Sequence, residues 1–407
     1  MADVSTLEVL LYGEPIGTLT RVPGDRSLFA FNEDYIADED RPVLSLGFKD
    51  SFGQLMTEFR PYGPRVMPFF SNLLPEGRMR GYLADRAGVN PEREFFLLWA
   101  LGSDLPGAIT VRPLGDDELP PVAEDEAETE LGDDRSAKIL RFSLAGVQLK
   151  FSAIIEGRGG LTIPARGVGG SWIVKLPSRA FEGVPENEYS MMTLARHVGM
   201  DVPAIDLVDV SSIRNLPPEV ATPGGQAFVI ERFDRLDNSS PVHIEDFAQI
   251  FRVYPRNKYG KASYVNIGQV IAAEGSDRDI AEYIRRLTFN ALIGNADMHL
   301  KNWSLRYPDR RNALLAPAYD FVATVAYIED ENAALKFSRT KRFDQFTYDE
   351  LAHLANRAMF PRGLVLETAK ETVELFHQYW KSEKANLPLG AEVVKTIEAH
   401  VRKVPLT

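Results

Sequence analysis

Residues 292–302 read L-I-G-N-A-D-M-H-L-K-N, so that several polar side chains follow directly after an apolar run. These side chains are Asp297, His299, Lys301 and Asn302, and they fall within six positions. Polar groups gathered at the end of a buried element are typical of a loop that carries function. A further aspartate, Asp320, follows in A-Y-D-F. The chain is therefore expected to be organised around this loop, which an amphipathic helix over residues 278–294 delivers.

The spacing of these residues predicts phosphoryl transfer. Asp297 and Asn302 are separated as in the protein-kinase catalytic loop H-R-D-x-x-x-x-N, where the aspartate takes the hydroxyl proton and the asparagine holds magnesium. Asp320 follows where that pattern places its D-F-G metal ligand. Our hypothesis makes Asp297 the base and makes Asn302 and Asp320 the Mg²⁺ ligands. As a structural alternative, either aspartate could be a cap or turn residue.

Two other residues of this loop have more than one interpretation. A lone histidine makes a poor transition-metal site, so His299 is expected to hold the loop by a structural hydrogen bond. Lys301 either neutralises the transferring phosphate or is a surface lysine. Neither residue fixes the function by itself.

Lys175 lies inside the apolar segment W-I-V-K-L, which is predicted to be a strand. A lysine in such surroundings needs a partner or a ligand, and Glu188 in the next predicted helix is the candidate, as in the Lys–Glu pair of kinases. The alternative is an edge strand from which Lys175 faces solvent.

Composition restricts the class of protein. The chain has 407 residues, no cysteine and a net charge of −12. Its length predicts more than one domain, and the absence of cysteine excludes disulfides and thiolate metal sites. No apolar run is long enough for a membrane helix, and the first ten residues lack the basic region of a signal peptide, so a cytoplasmic location is expected. An acidic chain of this kind is expected to reach nucleic acid only through a basic partner.

The pattern along the chain predicts an α+β fold of several parts. Residues 1–114 read as a mixed domain that opens with a hairpin and includes strand candidates at 29–35 and 43–46. Residues 115–135 form a linker, in which ten acids and no base occur over 115–134. Residues 136–235 have the strand and helix order of a kinase small lobe, and 236–407 read as a helical large lobe.

Seven ordered motifs resemble one family, the HipA-type serine/threonine kinases, which are the toxin half of bacterial type II toxin–antitoxin modules. The motifs are F-F-S-N-L-L-P-E-G (69–77), S-L-A-G-V-Q-L-K (143–150), W-I-V-K-L-P (172–177), E-N-E-Y (186–189), E-R-F-D-R (231–235), D-M-H-L-K-N (297–302) and A-Y-D-F (318–321). Together they extend over nearly the whole chain. The family's loop commonly reads D-G-H-A-K-N, so Met298 and Leu300 are departures that enlarge side chains near the site.

The resemblance implies a fold and a set of site residues. The fold is a small N-terminal α/β domain packed on a two-lobed kinase-like core with a mostly helical C-terminal lobe. Ser143 would be autophosphorylated, which switches the kinase off. ATP would be bound by the phosphate loop, the strand lysine, the hinge and the catalytic loop, that is by Ala145, Gly146, Val147, Gln148, Lys150, Lys175, Glu231, Arg232, Phe233, His299 and Lys301.

The resemblance also implies partners. These are a HipB-type helix-turn-helix antitoxin, which would supply the contact with DNA, and a protein substrate, expected to be an aminoacyl-tRNA synthetase. Two alternatives remain open at this point. One is a small-molecule phosphotransferase of the aminoglycoside-kinase type, and the other is a non-catalytic pseudokinase that acts as a corepressor.

Overall fold

The computed structural model describes residues 6–115, 150–155, 161–163, 170–178, 180–216, 224–236, 240–328 and 331–406. Most of the acidic linker, together with Ser143 and the phosphate-loop residues Ala145, Gly146, Val147 and Gln148, lies outside the described residues. Of Lys150 only the backbone is described. The described residues form three sheets and two buried cores.

The N-terminal domain is an antiparallel sheet with short helices packed around it. Its strands are β1 (Thr6–Leu11), β2 (Glu14–Val22), β3 (Arg26–Phe31) and β4 (Ile109–Pro113), in the order β3-β2-β1-β4. Its helices are α1 (Glu33–Ala37), α2 (Pro68–Ser71), α3 (Gly77–Ala87) and α4 (Glu94–Leu101). The opening hairpin is confirmed, because Tyr12 and Gly13 both adopt the positive φ that a tight two-residue turn requires.

Two predicted strands of this domain are corrected. The strand expected over 29–35 ends at Phe31, and α1 begins at Glu33 with two acids in its first turn, where they favour a helix. The segment 43–46 is not a strand, since a 3-10 turn occupies Leu46–Phe48. The hydroxyl of Ser45 accepts the N–H of Gly47 at 2.9 Å, and such a local side-chain bond competes with pairing in a sheet.

A five-stranded sheet and one helix form the small lobe. The strands are β5 (Lys150–Ile155), β6 (Leu161–Thr162), β7 (Trp172–Lys175), β8 (Ile205–Asp209) and β9 (Gln226–Glu231), in the order β6-β5-β7-β9-β8. The helix α5 (Val184–His197) packs on β8 and β9. Because β7 lies between β5 and β9, Lys175 is on a central strand, and the edge-strand alternative is wrong.

The large lobe is mostly helical. Its helices are α6 (Phe247–Ile250), α7 (Tyr264–Glu274), α8 (Asp277–Ile293), α9 (Tyr348–Ala358), α10 (Arg362–Glu383) and α11 (Ala391–Val401). A small antiparallel sheet joins β10 (His243–Asp246), β11 (Ser304–Tyr307) and β12 (Leu314–Leu315). Among the helices described, none combines the length and the apolar character that a membrane span requires.

The two cores meet at the small-lobe sheet. Side chains alternate along β9, so that Phe228 and Ile230 belong to the core shared with α5 and the large lobe. Ala227 and Val229 belong instead to the core of the N-terminal domain. The N-terminal domain is thus built onto one face of the small lobe and shares its apolar interior, and the expected α+β architecture is confirmed.

Candidate active site

The catalytic-loop candidate begins where α8 ends at Gly294. This glycine has a φ of 68°, and an added Cβ would lie 2.6 Å from a methyl group of Val325, so both the left-handed turn and the close approach require glycine. The buried Asn295 follows. Its Oδ1 accepts the N–H of Asp297 at 3.0 Å, and its Nδ2 donates to the backbone oxygen of Asp320 at 3.4 Å. One buried amide therefore joins the two aspartates that the sequence predicted as functional.

Asp297 and Asn302 are also directly connected. The Nδ2 of Asn302 donates to the backbone oxygen of Asp297 at 2.8 Å, which leaves the amide oxygen as the end suited to a cation. The Asp297 side chain is 54% exposed, and the hydroxyl of Tyr259 donates to its Oδ1 at 2.5 Å. The carboxylate is therefore held by a rigid loop and remains within reach of an acceptor.

Lys175 forms a buried ion cluster with two carboxylates. Its ammonium contacts both Glu188 on α5 and Asp320, and only 5% of its side chain is exposed. Burial alone would lower the pKa of Lys175, but the two carboxylates outweigh it and hold that pKa above its usual value, so the lysine stays charged. The predicted Lys175–Glu188 proximity is present, and Asp320 completes the cluster.

Asp320 and the segment after it are held by a second amide. Asp320 has a φ of 59°, a left-handed conformation that is uncommon for a residue with a side chain and is often found at functional sites. Asn187, next to Glu188, accepts the N–H of Ala323 at 2.9 Å and donates to the Ala323 oxygen at 3.3 Å. This two-point contact fixes α5 to the segment that follows Asp320.

The donor set of this cluster fits magnesium and a nucleotide phosphate. Asp320 supplies a carboxylate and Asn302 an amide oxygen, and hard oxygen donors from only one or two side chains are usual for protein-bound Mg²⁺. In the part of the chain that the structure describes, no group of three or more His, Cys, Asp or Glu side chains could hold a metal ion. The backbone of Lys150 pairs in register with Lys175, so the described end of the predicted phosphate loop borders the lysine.

His299 does not make the structural hydrogen bond expected of it. The ring is buried, and its Nδ1 has no hydrogen-bond partner within the described ranges. Its Nε2 lies 4.0 Å from the Asp297 carboxylate, and the ring packs edge-on against Tyr259. Burial, reinforced by the charge of Lys258, lowers the pKa of His299 to about 3, so the imidazole is neutral.

Lys301 is not a surface residue. Its ammonium lies 2.8 Å from Oε1 of Glu76 and donates to the backbone oxygen of Asn72 at 3.1 Å. Lys258 approaches the same Glu76 carboxylate at 3.0 Å. Burial alone would raise the pKa of Glu76, but the two ammonium groups lower it to about 2. Lys301 thus ties the catalytic-loop candidate to the N-terminal domain.

Arg232, which is predicted to lie in the nucleotide-binding hinge, is held by several contacts within the protein. The guanidinium of Arg232 binds Asp234 through two hydrogen bonds of 2.9 and 2.8 Å, its N–H donates to Ser171 and its carbonyl accepts from Arg235. These contacts fix the position of the Arg232 side chain and backbone within the protein. The ring of Phe233, the next predicted hinge residue, lies 5.5 Å from that of Tyr319.

Several site residues had no assigned role before the structure. Glu76 and Asn187 lie in two of the quoted motifs, and Asn295 lies in the opening stretch, so motif membership was the available signal for them. Tyr259 and Lys258 lie in a segment, Y-P-R-N-K-Y-G, that carries no recognisable pattern. Only the folded chain brings them to Asp297 and Glu76.

Comparison with known proteins places both parts of the chain in one family. The family model of the HipA N-terminal domain matches residues 7–112, and that of the HipA-like C-terminal domain matches residues 142–380. The Sinorhizobium fredii protein named "Putative kinase Y4dM" is 58% identical over 409 residues, which cover 100% of this chain and 98% of that protein. The serine/threonine-protein kinase toxin HipA of Shewanella oneidensis is 26% identical over 336 residues, covering 74% and 73% of the two chains.

A solved structure shows the same fold. In the complex of Shewanella oneidensis HipA, HipB and operator DNA, one chain superposes on this protein with a TM-score of 0.72 at 22% identity. The superposition covers 98% of this chain and 96% of that one. It confirms the expected arrangement of a small N-terminal domain on a two-lobed kinase-like core.

Proposed function

The chain belongs to the HipA family of kinases, and on this premise we propose that it is an ATP- and Mg²⁺-dependent serine/threonine kinase. We further propose that it is the toxin of a type II toxin–antitoxin module. The observation that carries the proposal is the joining of four predicted residues in one site. Lys175 binds Glu188 and Asp320, and Asn295 ties Asp320 to Asp297.

The proposed reaction is an in-line transfer of the γ-phosphoryl group. The acceptor serine oxygen forms a bond to the γ-phosphorus, and the bond from that phosphorus to the β,γ-bridging oxygen breaks. The hydroxyl proton passes to Asp297, and ADP leaves with the electron pair of the broken bond. Asn302 and Asp320 would hold Mg²⁺, which neutralises charge on the phosphates when bound. Lys175 would bind the α-phosphate, which needs a charged ammonium and a fixed strand.

The neutral His299 suits a place beside this reaction. Because the pKa of His299 is low, its imidazole carries no positive charge beside Asp297. A positive charge there would make the Asp297 carboxylate a weaker proton acceptor. The Nδ1 atom has no hydrogen-bond partner among the residues that the structure describes, and a bound nucleotide can satisfy it. We assign His299 to the ATP site on this basis.

Regulation, partner and substrate are proposed from the family. Ser143 would accept phosphate from ATP and thereby displace the phosphate loop of Ala145, Gly146, Val147, Gln148 and Lys150. A HipB-type antitoxin would bind both the kinase and operator DNA, and the solved Shewanella complex contains these three kinds of component. The net charge of −12 favours DNA contact through such a partner. The proposed substrate is an aminoacyl-tRNA synthetase.

The test compares the wild type with Asp297→Gln. In cells, phosphoproteomics should show Asp297-dependent phosphoserine on a translation component, and growth arrest should disappear in the variant. In vitro, the purified chain should label itself at Ser143 with the γ-phosphate of ATP. Full labelling and toxicity in Asp297→Gln would contradict the assignment of Asp297 as the catalytic residue. ATP binding by the wild type without phosphoryl transfer would favour the pseudokinase corepressor.

A further inference from the structure

Tyr259 lies next to Asp297, the proposed base, but has no role in the proposed mechanism. Its hydroxyl donates to Oδ1 of Asp297 at 2.5 Å. The residue is 43% exposed, and its ring packs edge-on against His299, with ring centroids 5.0 Å apart. Burial and the negative charge of Asp297 raise the pKa of the phenol, so it remains protonated and acts as the donor. A protein hydroxyl therefore already occupies one side of the Asp297 carboxylate.

The backbone of Tyr259 is anchored while its ring faces solvent. The preceding Lys258 is buried and binds Glu76 of the N-terminal domain. The backbone oxygen of Tyr259 accepts the ammonium of Lys341 at 3.3 Å. The ammonium of Lys258 also lies 5.7 Å from the centroid of the Tyr259 ring, but neither anchor bonds to the phenol hydroxyl, so a side-chain rotation can break the bond to Asp297 without moving the backbone. Rotations of exposed side chains are fast compared with catalysis.

An acceptor hydroxyl must make the contact that Tyr259 makes here. A group that gives its proton to Asp297 has to lie within hydrogen-bond distance of the carboxylate. We propose that Tyr259 is a gate at the acceptor position, which a protein substrate must displace before its serine can reach Asp297. This inference rests on the proposed function, because it assumes that Asp297 accepts the proton of the acceptor.

The gate has a consequence for substrate choice. Water is small and is present at high concentration, so an open carboxylate beside bound ATP would favour hydrolysis. A phenol bonded to the carboxylate opposes this reaction until an acceptor segment brings enough contacts of its own to replace the bond. Tyr259 would thus favour a serine presented on an accessible protein segment over water. It is a specificity-determining residue in this scheme.

The experiment measures acceptor-independent hydrolysis of ATP by the full chain. Tyr259→Phe removes the hydroxyl and keeps the ring, whereas Tyr259→Ala removes both. A hydrogen bond to a charged group should favour the state in which the phenol is bonded to Asp297 by roughly tenfold or more. Phosphate release should therefore rise about tenfold in Tyr259→Ala and severalfold in Tyr259→Phe. The KM for ATP should stay within about twofold in Tyr259→Phe, because this variant keeps the ring that packs against His299.

Controls separate this inference from the proposed function. Tyr379→Phe changes a tyrosine of α10 that stacks on His197 of α5, and it should leave hydrolysis unchanged. In an Asp297→Gln background the gain from Tyr259→Ala should vanish. If Asp297→Gln alone retains full phosphoryl transfer, the proposed function fails. If the transfer depends on Asp297 and both Tyr259 variants hydrolyse ATP no faster than the wild type, only the gate fails.

Two further results would overturn the gate. Phosphotyrosine at Tyr259, detected by mass spectrometry after incubation with ATP, would make the phenol an acceptor. A drop in turnover in Tyr259→Phe, with a shifted acid limb of the pH profile, would make the phenol a positioning group for Asp297. Tyr259→Phe preserves the packing against His299, so it provides the test even if Tyr259→Ala does not fold.

Discussion

Oε1 of Glu76, in the N-terminal domain, lies 2.8 Å from the ammonium of Lys301, in the catalytic loop. The other oxygen of the same carboxylate binds Lys258, whose neighbour Tyr259 contacts Asp297. One glutamate of the N-terminal domain is therefore connected to both sides of the proposed base. The motif F-F-S-N-L-L-P-E-G supplies this contact, together with the Asn72 oxygen that Lys301 also binds.

Neutralising Glu76 should reduce both turnover and stability. Glu76→Gln leaves two buried lysines without their counter-charge, which should cost about 3 kcal/mol in the free energy of unfolding. Turnover should fall about tenfold or more, since small displacements of a catalytic group are costly. Steady-state kinetics and urea unfolding measure the two effects. Glu92→Gln, an exposed residue 3.7 Å from Arg65, is the matched control and should change neither.

The stability that Glu76 supplies should depend on pH. Its pKa is lowered from 4.5 to about 2, so the folded protein holds the proton less tightly than the unfolded chain. The stabilisation is therefore complete above about pH 4.5 and is lost as the pH falls towards 2. Urea unfolding of the wild type and Glu76→Gln should converge over this range. A constant difference down to pH 2 would contradict the ion pairing.

Removing the Lys175 ammonium should abolish most activity. Lys175→Met leaves the carboxylates of Glu188 and Asp320 without their shared cation, and it removes the predicted contact with ATP. The ratio kcat/KM should fall about 100-fold to 1,000-fold. Lys395→Met, at an exposed lysine whose ammonium lies 3.5 Å from Glu392, should retain full activity. Equal activity of the two variants would remove Lys175 from the site.

Neutralising Asp320 should raise the magnesium requirement. Asp320→Asn keeps the size of the side chain and removes the charge of the proposed ligand, so half-maximal activity should need about 10–100 times more Mg²⁺. A titration of activity with MgCl₂ after chelation measures this shift. Asp309→Asn changes a carboxylate in a surface turn and serves as the control. An unchanged titration in Asp320→Asn would place the metal elsewhere.

Glu245 should make the interface of the N-terminal domain sensitive to pH. Burial raises its pKa from 4.5 to about 7, against the opposing effect of bonds from Ser45, Tyr307 and the Leu46 N–H. The folded state thus binds this proton more tightly than the unfolded chain. The free energy of unfolding should fall by up to about 3 kcal/mol between pH 4.5 and 7.

The variant Glu245→Gln isolates this effect. A glutamine does not titrate, so the wild type should lose stability from pH 4.5 to 7 relative to the variant, as measured by urea unfolding. Glu14→Gln removes an exposed carboxylate from the N-terminal domain and should follow the wild-type profile. Parallel profiles of the wild type and Glu245→Gln would show that Glu245 does not titrate in this range.

Regular periodicity made much of the fold predictable. Helix α8 differs from its prediction by one residue at each end, because an apolar face and Gly294 specify it locally. The strand predicted over 43–46 was wrong because the apolar residues of this segment pack against neighbouring elements and do not pair in a sheet. Helices α6 and α7 had no assignment of their own, although capping boxes formed by Asp246 with Gln249 and by Ser263 with Asn266 mark their starts.

The sequence by itself determined the local elements, the ordered motifs and the types of side chain at the site, since spacing and residue type are properties of the sequence alone. Tertiary structure alone decided that Asn295 joins Asp297 to Asp320, that Glu76 reaches Lys301 and Lys258, and that Tyr259 reaches Asp297. It also decided that Arg232 binds Asp234. These contacts join residues distant in sequence or choose one partner among several, and only the packing of two cores against each other fixes that choice.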